Sequence, residues 1–330
     1  DQALVNAGWH LENTYAQGVA GGRMGMYAWE WDRIFEYPRV PPGLKIDPDD
    51  PAGVTRNLKK AATFFGAALV GVCRLDRRWV YSSVYPKREQ KSMPNALSEE
   101  YQYAVALAIE MDYAAIGCSP ASPSSAATGL GYSKMAFIAG LLAHYIRGLG
   151  YNAIACGNDT ACSIPIAIDA GLGELARNGL LITPAFGPRV RLAKVLTDLP
   201  LIADKPVEFG VWDFCMMCEK CAKKCPSQSI MYGKPTEKPN NISNREGVLR
   251  WPINAETCLG FWAANGTDCS NCIRTCPFNK PKGRLHDSVR WGIKNLSFLN
   301  PLFLWRDDLL GYGRRGKADK FWKEEHYVRK

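Results

Sequence analysis

Hydrophobic residues recur with two different periods in the first half of the chain. Residues 57–69 carry them at the three- and four-residue spacing of an amphipathic helix. The short apolar runs 69–73 and 104–108 are bounded by polar residues and are typical of buried strands. Helix followed by strand, repeated along the chain, predicts a layered α/β or α+β fold.

A longer apolar segment, residues 129–150, has the sequence GLGYSKMAFIAGLLAHYIRGLG. Its spacing predicts a long buried helix that ends at Gly148 or Gly150, with Arg147 in the last turn. Small residues along this helix allow close approach of another helix or of a flat, bulky cofactor, and the pattern does not choose between them. These small residues are Ala136, Ala139, Gly140 and Ala143.

The remaining pattern divides the chain into four parts. After the long helix it predicts a strand at 151–156, a polar turn at 157–159, a short helix at 166–177 and a hairpin at 180–201. Residues 1–50 are rich in aromatic side chains and end in prolines, which predicts an irregular wrap. We therefore predict a wrap at 1–50, a core domain at 51–203, a second domain at 204–285 and a helical tail at 286–330 that packs on the core.

Composition excludes several classes of protein. The chain has 330 residues, 47% of them apolar and 22% charged, with a formal net charge of +9. This length suits roughly two globular domains and excludes disorder. The longest apolar candidate, 135–143, falls well short of about 20 residues, so no membrane-spanning helix is predicted. The first residues, DQALVNAGWH, show no export signal, so we expect that the protein is not exported or that a signal has been removed.

Twelve cysteines change this picture, because eight of them fall into two closely spaced groups. The first group is Cys215-x2-Cys218-x2-Cys221-x3-Cys225-Pro226, which is the cysteine run of bacterial ferredoxins. The second group is Cys258-x10-Cys269-x2-Cys272-x3-Cys276-Pro277, with the same ending after a longer loop. Thiols this close together leave no room for a disulfide framework. The two runs therefore predict two [4Fe-4S] clusters.

In such two-cluster modules the fourth cysteine of each run binds the other cluster. We therefore predict that the first cluster is held by Cys215, Cys218, Cys221 and Cys276, and the second by Cys225, Cys258, Cys269 and Cys272. A pair of structural zinc ions is the alternative, because zinc sites also use C-x2-C pairs, although zinc does not need the x3-Cys-Pro ending twice. The remaining cysteines are predicted to be ordinary buried thiols; they are Cys73, Cys118, Cys156 and Cys162.

Three further segments carry a resemblance to a known family. They are residues 129–159, the stretch GLGELARNGLLITPAFGPRVRLAKVLTDLPL, and the start of the second cysteine run, CLGFWAANG. Together they resemble the corrinoid- and iron–sulfur-dependent reductive dehalogenases of organohalide-respiring bacteria, of the respiratory type. The resemblance covers about residues 55–285, and no dinucleotide, phosphate-loop or zinc-protease motif competes with it.

The resemblance implies an α+β protein with a nitroreductase-like corrinoid-binding core and a bacterial two-[4Fe-4S] ferredoxin-like domain. The corrinoid, a cobalamin or a norpseudo-type, would be bound base-off, and the sequence offers no histidine placed as a lower cobalt ligand. The implied reaction removes halide from a small organohalide at cobalt, with electrons delivered by the two clusters. The cofactor supplies the difficult chemistry, and the protein binds and positions.

Matching positions in the family also imply catalytic residues. Tyr132 would be the proton donor, although an unperturbed tyrosine, with a pKa of about 10, is a poor acid at neutral pH. A nearby cation would stabilise the tyrosinate; the matching position is Arg191, and Arg189 is the alternate, expected on the same face of a strand. Asn158 matches an asparagine near the substrate, although an asparagine in a turn also bonds its own backbone.

Other matching positions point to the substrate pocket. Thr128 and Trp262 match pocket-lining positions, and Met135 is a candidate contact to the corrin face, although methionine at helical spacing is more often part of a core. Three N-terminal tryptophans are candidates for a wall of the pocket: Trp9, Trp29 and Trp31.

The resemblance further implies partners and a location. The electron donor would be a quinol-linked protein, a ferredoxin or a flavodoxin, a small protein would anchor the enzyme to the membrane, and a homodimer is compatible with the family. The expected location is the outer face of the cytoplasmic membrane after twin-arginine export, with the cytoplasm as the alternative. Two oxidised clusters with four thiolates each carry a formal charge of 2− apiece, so the formal net charge of the chain changes from +9 to 9 − 4 = +5. The smaller positive charge weakens the case for a nucleic-acid partner.

Two other functions fit parts of the sequence. An epoxyqueuosine reductase, a related corrinoid and two-cluster enzyme that acts on tRNA, would use the basic segment Arg314-Arg315-Gly316-Lys317 against phosphate. That family, however, has an acidic proton donor where this sequence has Tyr132. A non-enzymatic iron–sulfur electron carrier is the other alternative, and it predicts clusters without a corrinoid.

Overall fold

The structure is a computed structural model that describes residues 2–13, 25–27, 45–47, 49–85, 91–281 and 283–323. Trp29 and Trp31, two of the three tryptophans considered for the pocket wall, lie outside these residues. The fold below is that of the described part.

A four-stranded antiparallel sheet forms the centre of the front part of the chain. Its order across the sheet is β1 (Leu69–Arg74), β4 (Tyr103–Glu110), β8 (Val190–Thr197) and β5 (Ala153–Cys156), numbered by position in the chain. Two short antiparallel pairs accompany it: β2 (Ser83–Val84) with β3 (Met93–Pro94), and β6 (Glu174–Leu175) with β7 (Leu181–Ile182). With its helices the sheet makes an α+β fold, as predicted.

The helices fall into three groups along the chain. The front part contains α1 (Gln2–Leu11), α2 (Pro51–Phe64), α3 (Tyr113–Gly117), α4 (Ser122–Gly148) and α5 (Ser163–Asp169). The cysteine-rich part contains α6 (Val211–Met217), α7 (Lys220–Lys223), α8 (Ala255–Asn265) and α9 (Asn271–Arg274). The tail contains α10 (Arg284–Asn295), α11 (Asn300–Leu309) and α12 (Ala318–Lys323). Short 3-10 helices lie at Gly25–Tyr27, Arg77–Trp79 and Ser297–Leu299.

The long helix α4 is the core element of the front part. It begins at Ser122, seven residues before the predicted start, with Pro123 in its first turn. Its length and composition alone would allow it to cross a membrane, which the sequence pattern did not predict, but 72% of that apolar window is buried inside the protein. The small residues of α4 pack within the protein: a Cβ on Gly140 would lie 3.2 Å from the carbonyl oxygen of Met26.

Helix α2 lies earlier in the chain than its pattern predicted. The side chain of Asp50 accepts a hydrogen bond from the Gly53 N–H at 2.8 Å, and Pro51 occupies the first turn, so the helix begins at Pro51 instead of residue 57. It ends at Phe64, before Gly66, whose φ of 111° lies outside the helical region.

The predictions for residues 163–201 were partly wrong. Helix α5 ends at Asp169, so residues 170–177 are not helical; they lead instead into the β6–β7 hairpin. The predicted hairpin within 180–201 does not form, because β7 pairs with β6, whereas β8 enters the central sheet between β4 and β5. Apolar periodicity could not distinguish these pairings, since they depend on contacts distant in sequence.

The N-terminal residues contain a helix where an irregular wrap was predicted. Helix α1 packs closely on α4, and a Cβ on Gly8 would lie 2.6 Å from the carbonyl oxygen of Ala126. Ser133 on α4 fastens the contact by donating a hydrogen bond to the Gly8 carbonyl at 2.7 Å.

An irregular connection, residues 198–210, joins the two main parts of the chain. Asp204 anchors this connection on the front part by pairing with Lys59 at 2.6 Å and accepting from the Val72 N–H at 2.8 Å. The tail packs on both parts: Ile293 of α10 belongs to the buried cluster around Phe214 of α6, and α12 lies against α4. Of the four remaining cysteines, Cys162 is only partly buried, and the other three are buried.

Candidate active site and cluster sites

Tyr132 lies on α4 beside the turn that follows β5. Asn158 donates a hydrogen bond from Nδ2 to the Tyr132 hydroxyl oxygen at 3.1 Å. Asp159 makes the side-chain bonds of the turn, accepting from the Gly157 N–H and from the Thr160 hydroxyl, each at 2.8 Å. The Asn158 amide is therefore engaged with Tyr132, while its neighbour holds the turn.

Arg191 reaches the same tyrosine from the central sheet. The centre of its guanidinium lies 4.9 Å from the centre of the Tyr132 ring, and Nη2 donates to the Thr128 hydroxyl at 3.2 Å. Gly131 leaves the space for this side chain, because a Cβ there would lie 2.8 Å from Arg191 Cγ. A cation over an aromatic ring is attracted to the face of that ring.

Arg189, the alternate partner of the tyrosine, has a different role. It lies just before β8, not on that strand, so the predicted shared strand face with Arg191 is wrong. Its Nη1 pairs with Glu110 at 2.7 Å, and its Nε donates to the Asn279 side chain at 3.0 Å. Asn279 belongs to the cysteine-rich part, so Arg189 joins the two parts of the protein. Of the two arginines, Arg191 is the one beside Tyr132.

Trp9 of α1 covers the tyrosine ring. The two rings are stacked, with centres 5.1 Å apart and planes inclined by 23°. Gly129 makes this stacking possible, because a Cβ there would lie 2.4 Å from Trp9 Cδ1. Among the tryptophans considered for the pocket wall, Trp9 is thus placed at the tyrosine.

Met135 and Trp262 lie in contrasting environments. The Met135 side chain is 1% exposed in the core between α4 and the sheet, which favours packing over contact with a corrin. Trp262 is 37% exposed on α8, one turn after Cys258. It therefore stands beside a predicted cluster ligand, on a helix with no buried residue.

The eight cysteines lie close to one another, and their division into two ligand sets stays a prediction. Burial raises the pKa of Cys221, and the nearby thiols of Cys276 and then of Cys272, from the second set, add to this effect. Burial and the Cys215 thiol likewise raise the pKa of Cys276. In the second set, Cys225 contributes to the raised pKa of each of the other three thiols, again after burial. Each run thus places its fourth cysteine next to the other run.

Burial makes these thiols poor acids unless a metal compensates the charge. It raises the pKa of Cys215 and of Cys272 to about 12 and that of Cys258 to about 11. Bound iron reverses this preference, because metal ligation requires the thiolate. Within the described residues, no three His, Cys, Asp or Glu side chains are grouped tightly enough to hold one metal ion.

Comparison with known proteins bears on both sites. Residues 214–279 match the family model of the 4Fe-4S double cluster binding domain. The chain is 37% identical over 350 residues to the tetrachloroethene reductive dehalogenase of Sulfurospirillum multivorans, covering 97% of this chain and 70% of the relative. The chain belongs to the reductive dehalogenase family. The relatives are named reductive dehalogenases, so the chain belongs to a family of oxidoreductases.

Two further comparisons agree with this family. The chain is 38% identical over 352 residues to a tetrachloroethene reductive dehalogenase of Desulfitobacterium hafniense, covering 88% of this chain and 64% of the relative. A solved reductive dehalogenase structure, described with a mechanism for B12-dependent dehalogenation, matches with a TM-score of 0.75 and 26% identity over 92% of this chain. The chain spans 41% of that structure, so it corresponds to part of the length of these family members.

Glu12 and Tyr27 are buried polar residues near Tyr132 that the sequence did not indicate. They are 7% and 1% exposed, and Glu12 Oε2 and the Tyr27 hydroxyl have no hydrogen-bond partner among the described residues. Burial, and then the charge of Asp159, raises the pKa of Glu12 to about 7. Burial, followed by Glu12 and Asp159, also raises the pKa of Tyr27. Neither residue belongs to a periodic pattern or a motif, so no local signal marks them.

Lys194 supports the Asn158 turn from within the sheet. It is fully buried on β8, and its Nζ donates to the Gly157 carbonyl at 2.5 Å and to the Ser163 hydroxyl at 3.1 Å. Burial lowers the pKa of Lys194. In sequence it follows Arg191 by three residues in an apolar strand, where a lone lysine gives no sign of its partner.

Proposed function

We propose that this chain carries out reductive dehalogenation of a small organohalide, with a corrinoid, two [4Fe-4S] clusters and Tyr132 as the proton donor. The observation that carries the proposal is the grouping of Asn158 and Arg191 around the tyrosine. The overall reaction breaks a carbon–halogen bond and forms a carbon–hydrogen bond, consuming two electrons and one proton and releasing halide.

The hydrogen bond from Asn158 orients the proton of Tyr132. Because the hydroxyl oxygen accepts from Nδ2 at 3.1 Å, its own hydrogen remains free to point at a different acceptor. That acceptor is the substrate carbon from which halide departs. The same hydrogen bond stabilises the tyrosinate once the proton has left.

Arg191 supplies the second stabilising interaction. Its positive charge over the ring favours the anionic phenolate. Thr128 accepts from Nη2 and so holds the guanidinium in this position. We therefore propose that Thr128 positions Arg191, a more specific role than lining the pocket.

The exposed face of α8 fits a large flat cofactor next to a cluster. Leu259 is 62% exposed, and Trp262 follows Cys258 by one turn on the same helix, so an apolar surface adjoins a cluster ligand. The small residues of α4 and Met135 are already packed and do not offer such a surface. A bound corrinoid would supply the cleavage of the carbon–halogen bond at cobalt.

The proposal extends to partners and location. The substrate class follows from the relatives, which are dehalogenases of tetrachloroethene. We further propose delivery of electrons by a quinol-linked protein, a ferredoxin or a flavodoxin, and location at the outer face of the cytoplasmic membrane with a small anchor protein. Fractionation of cells, with halide release measured in periplasmic, membrane and cytoplasmic fractions, tests the location.

The decisive experiment combines metal content with halide release. The chain is reconstituted anaerobically with iron, sulfide and cobalamin, and cobalt and iron are quantified. Chloride or bromide release is then measured from tetrachloroethene, haloalkanes and halophenols. We expect cobalt retention, about eight irons for the two cubanes, and release from at least one substrate class. Two clusters with no retained cobalt and no halide release would instead indicate an electron carrier.

Replacement of Tyr132 by Phe tests the proton donor. Removing a positioned acid costs about 100-fold or more in rate. We expect the Tyr132→Phe variant to keep its iron and cobalt and to lose halide release by this factor. Release at the parent rate would show that another group donates the proton.

A further inference from the structure

The β6–β7 hairpin inserts an arginine from the front part into the cysteine-rich part. Arg177 lies at the tip of this hairpin, after β6, and none of its surface is exposed. Its neighbour Asn178 is also buried and reaches the Cys272 carbonyl at 3.5 Å. The tip therefore contacts the loops of both cysteine runs.

The Arg177 guanidinium is bound entirely by main-chain carbonyls. Its Nη2 donates to the Cys215 carbonyl at 2.7 Å and its Nε to the Cys218 carbonyl at 3.0 Å. Its Nη1 donates to the carbonyls of Met231 and Gly233 at 3.0 and 2.9 Å. Cys215 and Cys218 stand at the end of α6, where helix carbonyls lack partners within the helix. The arginine supplies those partners.

The charge of Arg177 is not cancelled by an ion pair. Among the ion pairs of the described residues, none includes Arg177, whereas the nearby buried lysines Lys220 and Lys280 both pair with Asp307. Its guanidinium instead lies 4.8 Å from the ring centre of Trp251, which shields it from water. A full positive charge thus rests in a dry environment next to two ligands of the first set.

In the second set, Arg274 lies near Cys269, whereas the hydrogen bonds that the described residues make to its sulfurs come from neutral groups. Neutral backbone N–H groups approach its sulfurs: Ser229 donates to Cys225 Sγ at 3.4 Å and Asn271 to Cys269 Sγ at 3.5 Å. Three of its four cysteines are also partly exposed, whereas all four of the first set are buried. Among the described residues, the two sets therefore differ in burial and in the cation that binds the main-chain carbonyls of two ligands in the first set.

We propose that Arg177 is a positioning residue that holds the loop of the first cluster and raises the reduction potential of that cluster. Reduction adds an electron, and therefore negative charge, to the cluster. A fixed cation in a low-dielectric environment favours the reduced form. This inference rests on the two clusters alone, so it stands or fails independently of halide release.

The test is a redox titration of the reconstituted full chain, followed by the electron paramagnetic resonance of reduced clusters. The Arg177→Gln variant removes the positive charge. The Arg177→Lys variant retains the charge but loses the planar guanidinium with its several N–H donors. Lys223→Gln, a charge removal on an exposed side chain of the first cysteine run, is the matched control. Iron and sulfide contents are measured first, so that only fully loaded protein is compared.

At a fixed potential, we expect Arg177→Gln to lower the ratio of reduced to oxidised first cluster about tenfold. This corresponds to a decrease of about 59 mV in the reduction potential of that cluster for a one-electron step. The second cluster and the Lys223→Gln control should stay unchanged, and Arg177→Lys should recover most of the loss. Unchanged potentials in fully loaded Arg177→Gln would overturn the proposal. Equal shifts in the Gln and Lys variants would also overturn it, because geometry and not charge would then be responsible.

A second substitution keeps the proposal testable if Arg177→Gln does not bind iron. Glu174 lies on β6, and its carboxylate accepts a hydrogen bond from the Phe209 N–H, so its negative charge stands at the start of the helix α6 that carries Cys215. Its carboxylate accepts from the Val211 N–H at 3.4 Å, a contact that glutamine can keep. Glu174→Gln should therefore raise the first potential, opposite in sign to the loss of the arginine. No shift, or a shift downward, in the loaded variant would contradict electrostatic control.

Discussion

The tyrosine site and the cluster sites are built in opposite ways. Three side chains from different elements contact Tyr132. They are Trp9 of α1, Asn158 of the turn after β5 and Arg191 of β8. The predicted cluster ligands come instead from two short runs of the chain, and only the fourth cysteine of each run is predicted to bind the other cluster. One site is assembled by the fold, and the other is assembled mainly by local loops that the fold brings together.

This difference has a consequence for mutation. Loss of one ligand from a cluster set should remove or damage a whole cluster, because each cysteine bonds directly to iron. Loss of one partner of Tyr132 should leave cofactors and fold in place and change only the chemistry. The predictions below test that distinction, beginning with the largest effect.

Removal of Cys225 should damage the second cluster although its sequence neighbours bind the first. We expect Cys225→Ala to lose about four irons of the second cubane, while the first cluster keeps its spectroscopic signal. Cys162→Ala, which removes a partly buried thiol outside both sets, is the control. Selective damage to the first cluster would contradict the exchange of the fourth ligands.

Replacement of Arg191 and of Arg189 by glutamine, one at a time, should separate an effect on the reaction rate from an effect on stability. Arg191→Gln removes the cation at Tyr132, and we expect halide release to fall about 100-fold with normal iron content, comparable to the loss of one electrostatic donor. Arg189→Gln removes a buried guanidinium and its contacts with the partly exposed Glu110 and with Asn279, so it should lower the melting temperature and have less effect on the rate per folded enzyme. Equal kinetic losses in both variants would show that Arg191 has no special position.

Glu12 should make stability depend on pH in an unusual direction. Its pKa of about 7 in the folded protein, raised by burial and by Asp159, exceeds the 4.5 of an ordinary glutamate. The folded state therefore holds the proton more tightly, and stability should fall as pH rises from about 4.5 to 7, by on the order of 2 kcal/mol after allowance for partial burial. Asp159 and Tyr27 are the ionisable groups that face it.

The Glu12→Gln variant should flatten this dependence. Denaturation at pH 5, 6 and 7 measures the slope, and Glu99→Gln, on an exposed carboxylate, is the control. An unchanged slope in Glu12→Gln would place the pH dependence elsewhere.

The smallest effect should come from Asn158. Asn158→Ala removes one neutral hydrogen bond to Tyr132, which contributes about 1 kcal/mol, or roughly fivefold in rate. Single-turnover halide release measures it. A loss as large as that of Tyr132→Phe would mean that Asn158 also contacts the substrate.

The local patterns were informative where a single segment carries the whole signal. The spacing of the eight cysteines predicted two clusters, and the apolar runs located β1, β4 and β5. Residues 163–201 were less predictable, because the sequence could not show that β8 pairs with β4 and β5 while β7 pairs with β6. Helix starts also shifted where Asp50 or Pro123 set the boundary.

The sequence by itself therefore determined the cluster chemistry, the α+β class and, through resemblance, the position of the tyrosine. Only the tertiary structure decided that Arg191 and not Arg189 lies at Tyr132, that Trp9 stacks on its ring, and that Arg177 binds the main-chain carbonyls of Cys215 and Cys218. The physical reason is how far apart along the chain the contacting residues lie. Ligands of one cluster sit a few residues apart, so spacing records them, whereas an arginine on a strand finds its partner only after the sheet has formed.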